Sequence, residues 1–273
     1  MKSNNPASII FSFVFILAVF LLNMTLSGLI SGSVLLLTRI LLVAVFGAAI
    51  IVFQILKQPN ARRLAFTLMI VNLAFFIVSF FTIGFWGLNL ETAKGIAFAK
   101  LSDSVIISAV LILAFLVAGY KLKDIYLCRG KPGAGLIIGL LTFVLMGFLV
   151  MNNPDQTMQE GFLQKNIAWI LIFVFSNAFM EELLFRGIFL KQLNNFMKPI
   201  WSILLTSLVF ASAHLQVTYT PDILFFAGIT LVLGAIWGFL MQYTKSIIAS
   251  MFFHAGADLL IIVPIYASFG VQG

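Results

Sequence analysis

Charged residues are scarce in this sequence, at 9% of its 273 positions against a globular norm of about 25%. There is a single cysteine, Cys128, so no intrachain disulfide can form and a disulfide-framed scaffold is excluded. Histidine occurs only twice and acids only nine times. Hydrophobic residues fill 62% of the positions. A soluble core of this size cannot hide so much apolar surface, because burial on folding saturates near about three-quarters of the chain's area. Water-soluble and disordered classes are therefore excluded, and the solvent for most of the chain is lipid.

Apolar runs of roughly 20 residues recur along the chain, each long enough to cross about 30 Å of hydrocarbon as a helix. Nine candidate spans follow: 7–30, 34–56, 64–88, 104–120, 133–151, 167–190, 200–214, 223–243 and 246–266. The first run is longer than the apolar core of about 7–15 residues in a signal peptide, so it is expected to remain as an anchor. Links such as Lys57-Gln58-Pro59-Asn60 and Asn152-Asn153-Pro154-Asp155 separate the spans. The fold class expected is an all-α polytopic transmembrane bundle of eight or nine spans. Residues 1–160 would supply five N-terminal helices, and residues 165–266 a C-terminal four-helix domain.

The net charge of +7 does not point to nucleic acid, because the basic residues lie in short loops between spans. With the N-terminus inside, the inside loops hold Lys2; Lys57, Arg62 and Arg63; Lys121, Lys123, Arg129 and Lys131; Lys191 and Lys198; and Lys245. The outside loops hold Lys94, Lys100 and Lys165, balanced by Glu91, Asp103, Asp155, Glu160 and Asp222. The positive-inside rule then predicts a multi-pass protein of the cell membrane with a cytoplasmic N-terminus. In the first five spans, Arg39 near a helix end is expected to snorkel, and Asn72 to act as helix-packing glue.

The sixth span carries Glu181, Glu182 and Arg186 within six positions of an otherwise apolar helix. Unpaired, the three would oppose insertion by about 8–10 kcal/mol, at roughly 2.5–3.5 kcal/mol each. Glu182 and Arg186 stand four apart and can pair along the helix, which assigns them a bracing role. Glu181 points about 100° away toward another neighbour, with Asn177 one turn before it on the same face. Both histidines fall in later apolar spans. His214 follows Phe210 by one turn, and His254 precedes Asp258 by one turn. Intramembrane ionisable groups are rare and line cavities or pathways. Together these residues can supply a base, hydrogen-bond donors or metal ligands. An HExxH zinc helix, a Gly-x-Ser-Gly nucleophile context and a Gly-x-Gly-Asp motif are all absent, and Cys128 sits in a loop far from any histidine.

Glu181-Glu182-x-x-x-Arg186, Phe210-x-x-x-His214 and His254-x-x-x-Asp258, in that order on successive apolar helices, resemble the signature of the CPBP family. That family comprises type II CAAX prenyl endopeptidases and related bacteriocin-processing and immunity proteins, also called Abi-like. The resemblance covers about residues 165–265. It implies an intramembrane endopeptidase acting on a peptide or protein at the bilayer, in which Glu181 activates water and His214 helps to hold it. His254 and Asp258 would face the oxyanion, with Glu182 and Arg186 bracing the helix. In the prenyl-protease branch the last motif residue is typically Asn, whereas here it is Asp. An ionised carboxylate cannot donate to an oxyanion, so Asp258 is expected to orient His254 and leave that ring as the donor. Glu181, His214 and His254 could hold zinc with a fourth position for water. The same residues also serve a metal-free glutamate protease, the form expected here.

Two other classes compete. A peptide-binding or immunity protein would keep the fold without the chemistry, but has no need of Glu181, His214 and His254 together. A proton-coupled transporter would use the same groups as a relay, yet they cluster in one half of the chain rather than in two matched repeats.

Overall fold

A computed structural model describes residues 6–81, 83–153, 158–217 and 220–268, with side chains omitted at 6–12 and 25–28. Lys2, Pro154 and Asp155, used above to mark loops, lie outside the described residues. Among the described residues the chain is helical and has no strand. The helices are α1 Pro6–Leu29, α2 Gly32–Ile55, α3 Pro59–Val78, α4 Ile83–Trp86, α5 Ala93–Val117 and α6 Pro132–Met151. There follow α7 Phe162–Glu182, α8 Lys191–Leu193, α9 Pro199–Ala213, α10 Ile223–Thr244 and α11 Ile248–Ser268. A π-helical stretch, Leu183–Leu190, joins α7 to α8, so that Phe162–Leu193 is one helix of 32 residues. Among the described residues, eight helices are long and apolar enough to cross a membrane, and the described part of α1 adds an apolar stretch, Phe13–Met24. α2 leaves Leu37, Leu41 and Ile51 more than half exposed, the surface of a helix solvated by acyl chains.

Several span boundaries differ from the sequence reading. The fourth span begins at Ala93, not at 104, because the Thr92 side chain accepts from the Gly95 amide and caps the helix there. Lys94, Lys100 and Asp103 are therefore helical rather than loop residues. Charge near the start hid the helix: Lys94 reaches over the Trp169 ring at 5.9 Å and Lys100 over Phe173 at 5.7 Å, covering their aliphatic stems. Lys165 likewise lies within α7. The third span starts earlier, at Pro59, whose fixed φ suits a first helical turn, and ends at Val78. Its expected remainder is the separate turn α4, folded on Phe81, Phe85 and Trp86.

The fold divides into two compact units, Met1–Phe76 with Phe185–Gln242, and Ile77–Leu184 with Tyr243–Gly273. In the first unit, α1 packs on α9, with Phe13 edge-on to Trp201, and Phe20 meets Phe189 at 4.3 Å. Its polar centre is Arg39, which is 3% exposed and does not snorkel. One guanidinium nitrogen donates to Asn23 O and to Asn72 Oδ1, both at 2.8 Å, and Asn72 donates on to Asn23 Oδ1. Phe75 lies under the guanidinium at 5.0 Å. Two asparagines from α1 and α3 thus take the place of the water that a snorkelling guanidinium would seek at the interface.

In the second unit, α11 lies against α6 and α7, and α5 against α7. Glycine sets how closely α6 and α11 approach. A Cβ at Gly256 would stand 2.9 Å from Phe143 Cα, and one at Gly139 would stand 2.9 Å from Phe252 Cβ. Phe143, Phe175 and Phe252 stack around this contact. The loop before α6 ties down the start of α11: Lys131 N donates to Thr244 O at 2.7 Å, Ile247 N to Tyr126 O at 3.2 Å, and Cys128 Sγ to Lys245 O at 3.1 Å.

The Arg39 node is testable. Asn72→Leu strands part of a buried guanidinium and should cost about 1–3 kcal/mol, read as a lower Tm of the detergent-purified protein. Arg39→Leu combined with Asn72→Leu should recover part of that loss, since two apolar groups replace both partners. Simple addition of the two single losses would show that the residues do not act together.

Candidate active site

Five of the residues singled out by sequence come together in the second unit. Asn177, Glu181 and Glu182 occupy the last turns of α7, and His254 and Asp258 stand one turn apart on α11, which packs on α7. His254 is 2% exposed. Its Nδ1 lies 3.0 Å from Glu182 Oε1. Its Nε2 lies 3.5 Å from Glu181 Oε2 and 3.6 Å from Asp258 Oδ1. Asn177 Nδ2 donates to the other Asp258 oxygen at 2.9 Å. α7 and α11 are thus joined by polar contacts at two levels, Glu182 with His254 and Asn177 with Asp258.

The two faces of the imidazole differ. A carboxylate at hydrogen-bond distance from Nδ1 fixes the proton there and holds the ring plane. Around Nε2, both carboxylates stand beyond the usual hydrogen-bond length of about 2.7–3.2 Å. Exposure separates the acids as well: the Glu181 side chain is 16% exposed, and that of Glu182 not at all. Glu181 Oε2 accepts no hydrogen bond from the described residues.

The i,i+4 spacing gives Asp258 the task of orienting His254, and its carboxylate lies 3.6 Å from Nε2 while its other oxygen accepts from Asn177. The carboxylate at hydrogen-bond distance from the ring is that of Glu182, a partner on another helix that spacing along one helix could not reveal. The α-helix ends at Glu182, where the π-helical stretch begins. Such stretches are rare and gather at functional sites, because an i→i+5 ladder changes the facing of the residues that follow.

Arg186, Phe210 and His214 belong to the first unit. Arg186 is fully buried, with its guanidinium 4.3 Å from the Phe210 ring centre and 5.4 Å from that of Trp237. Gly234 makes room for it, since a Cβ there would stand 2.8 Å from Arg186 Nη2. Gly234 and Trp237 were not picked out from the sequence. The available signal was a glycine inside an apolar helix, three residues before a tryptophan. His214 closes α9 and opens the 3-10 turn His214–Gln216. Its Nδ1 is 2.8 Å from Phe210 O and its ring 4.4 Å from the Phe210 ring. A carbonyl can only accept, so Nδ1 carries the proton and Nε2 is the acceptor of the neutral ring.

Among the described residues, no three His, Cys, Asp or Glu side chains are arranged to hold a metal ion.

No curated protein and no solved structure matches the chain. Residues 163–260 match the family described as Rce1-like: type II CAAX prenyl endopeptidase Rce1-like. The matched segment holds both glutamates, both histidines, Asp258 and the aromatic surround of Arg186. Over that segment the chain is similar to the CAAX protease family.

Proposed function

We propose that this protein is an intramembrane endopeptidase that hydrolyses a peptide bond in a peptide or protein held at the membrane, with Glu181 as general base. The observation that carries the reading is the Glu181–His254 pair, with Glu182 behind the ring at 3.0 Å. The family match supports the same reaction class.

In this reading Glu181 takes a proton from water as the water oxygen attacks the scissile carbonyl carbon. The carbonyl π electrons move to oxygen, and the resulting oxyanion is met by His254 Nε2–H, with Nδ1–H held by Glu182. Glu181 then passes its proton to the departing amide nitrogen as the C–N bond breaks, leaving a carboxylic acid and an amine. Asp258, held by Asn177, adds negative charge beside Nε2 and favours the ring's donor form. His214 takes the water-holding part that the motif resemblance implies. Glu182 and Asn177 are positioning residues, since each acts through another group.

Glu181→Gln keeps the side chain's shape and removes the base. It should lower kcat by about 10²–10⁴-fold while Tm and yield stay near wild type. The assay is peptide release by purified protein in liposomes, using a substrate identified from peptides that wild-type membranes release and Glu181→Gln membranes do not. Wild-type turnover by the variant would refute Glu181 as the base. A phenotype kept intact by the variant in cells would favour a binding protein instead.

The positioning roles predict an order. Glu182→Gln should lower kcat more than Asp258→Asn, with KM little changed in both, because Glu182 holds the ring directly and Asp258 stands at 3.6 Å. The reverse order would return the orienting role to Asp258. His214→Gln should lower kcat/KM at least tenfold at unchanged Tm. Full activity of that variant would remove His214 from the mechanism.

A further inference from the structure

The first unit contains an apolar groove of about 350 Å³ bounded by α1, α2, α3 and Phe196. It lies away from the carboxylate cluster in sequence and has no part in the proposed chemistry. Its floor is made of small side chains, Ala49, Ala61 and Ala65, between walls that include Phe20 and Leu68. The Arg39–Asn23–Asn72 node fixes the three helices beyond one end of the groove: Asn23 follows Val19, and Asn72 follows Leu68, each by one turn. At the other end is the α2–α3 turn, where Phe53 and Ala61 line the groove. From Val45 to Phe53 the wall runs about 12 Å along α2 at roughly 1.5 Å per residue. That is most of the depth of one leaflet, about 15 Å of a 30 Å hydrocarbon core.

The turn end is strongly basic. Lys57 is exposed there, Arg62 and Arg63 open α3, and Lys198 follows Phe196 by two residues. Asn60 Nδ2 donates to Asn195 O, which ties the turn to the segment carrying Phe196 and Lys198. Across the whole first unit the sequence provides one acid, Asp222, and its carboxylate accepts from the Phe225 amide at the start of α10. The basic residues of the turn thus have only one acid within their own unit, and that acid already caps a helix.

We propose that this groove is a binding site for an anionic phospholipid, with one acyl chain along Ala49 and Ala65 and the headgroup phosphate at Lys57 and Arg62. The apolar wall alone would not choose between lipids, since the surrounding bilayer offers the same contacts. Preference comes from the basic turn, where each Lys or Arg near an anionic headgroup favours it by about fivefold.

The test is retention of lipid by the full-length protein, taken from mixed phosphatidylglycerol and phosphatidylcholine nanodiscs and read by native mass spectrometry. The wild type should retain phosphatidylglycerol at least tenfold over phosphatidylcholine. Ala49→Phe fills the groove and should abolish retention of both. Lys57→Gln with Arg62→Gln alters only polar side chains at the turn and should leave retention without preference. The proposal is overturned if the wild type retains the two lipids equally, or if folded Ala49→Phe retains phosphatidylglycerol as the wild type does. If Ala49→Phe fails to fold, the lysine–arginine double variant decides: a preference equal to wild type overturns the proposal.

Discussion

A polar group in hydrocarbon must find its partner within the protein, and most of this architecture follows from that requirement. Lipid offers no hydrogen bonds, so a buried donor or acceptor that its own helix cannot satisfy is met from a neighbouring one. Arg39 draws in α1 and α3 through two asparagines. His254 and Asp258 draw in the end of α7 through Glu182 and Asn177. Arg186 is enclosed by aromatic faces in a site that a glycine leaves open. Apolar side chains fill the space between these nodes, but they do not choose the pairing, because lipid tails would serve them equally well.

The carboxylate cluster also shows why burial and chemistry can coexist. The carboxylate that holds the ring has no solvent access, and the carboxylate that faces Nε2 keeps some. One acid sits at hydrogen-bond distance from the ring, and the other keeps an opening to solvent. Adjacent positions on one helix supply both roles because successive residues point about 100° apart.

The helical class and the apolar spans were legible in the sequence, because a run of about 20 apolar residues has few other uses. Glu181 and His254 were legible as well, since charge inside such runs is costly. The exact ends of spans were not. The start of α5 was hidden by Lys94, Lys100 and Asp103, which lower the hydropathy of a segment that Thr92 nonetheless caps. The burial of Arg39 was hidden for a different reason. Its partners Asn23 and Asn72 are far away in sequence, and no local pattern announces that they meet. The same limit explains why Glu182, read as a brace, proved to touch His254: helical spacing reports neighbours on one helix and is silent about the next. The π-helical turn after Glu182 left no compositional mark at all.

Gly256 stands two residues after His254, with the α6 backbone so close that a single added carbon would meet Phe143 Cα at 2.9 Å. The position of the imidazole is therefore held from behind as well as from the front. Adding a methyl group at 256 changes no charge, no donor and no acceptor, yet it must push α11 away from α6, the helix behind it. The site's tolerance is set to within one carbon by a residue that takes no part in any reaction step. Along α11, sensitivity to substitution should therefore not follow chemical function: a side chain's absence at 256 matters as much as its presence at 254.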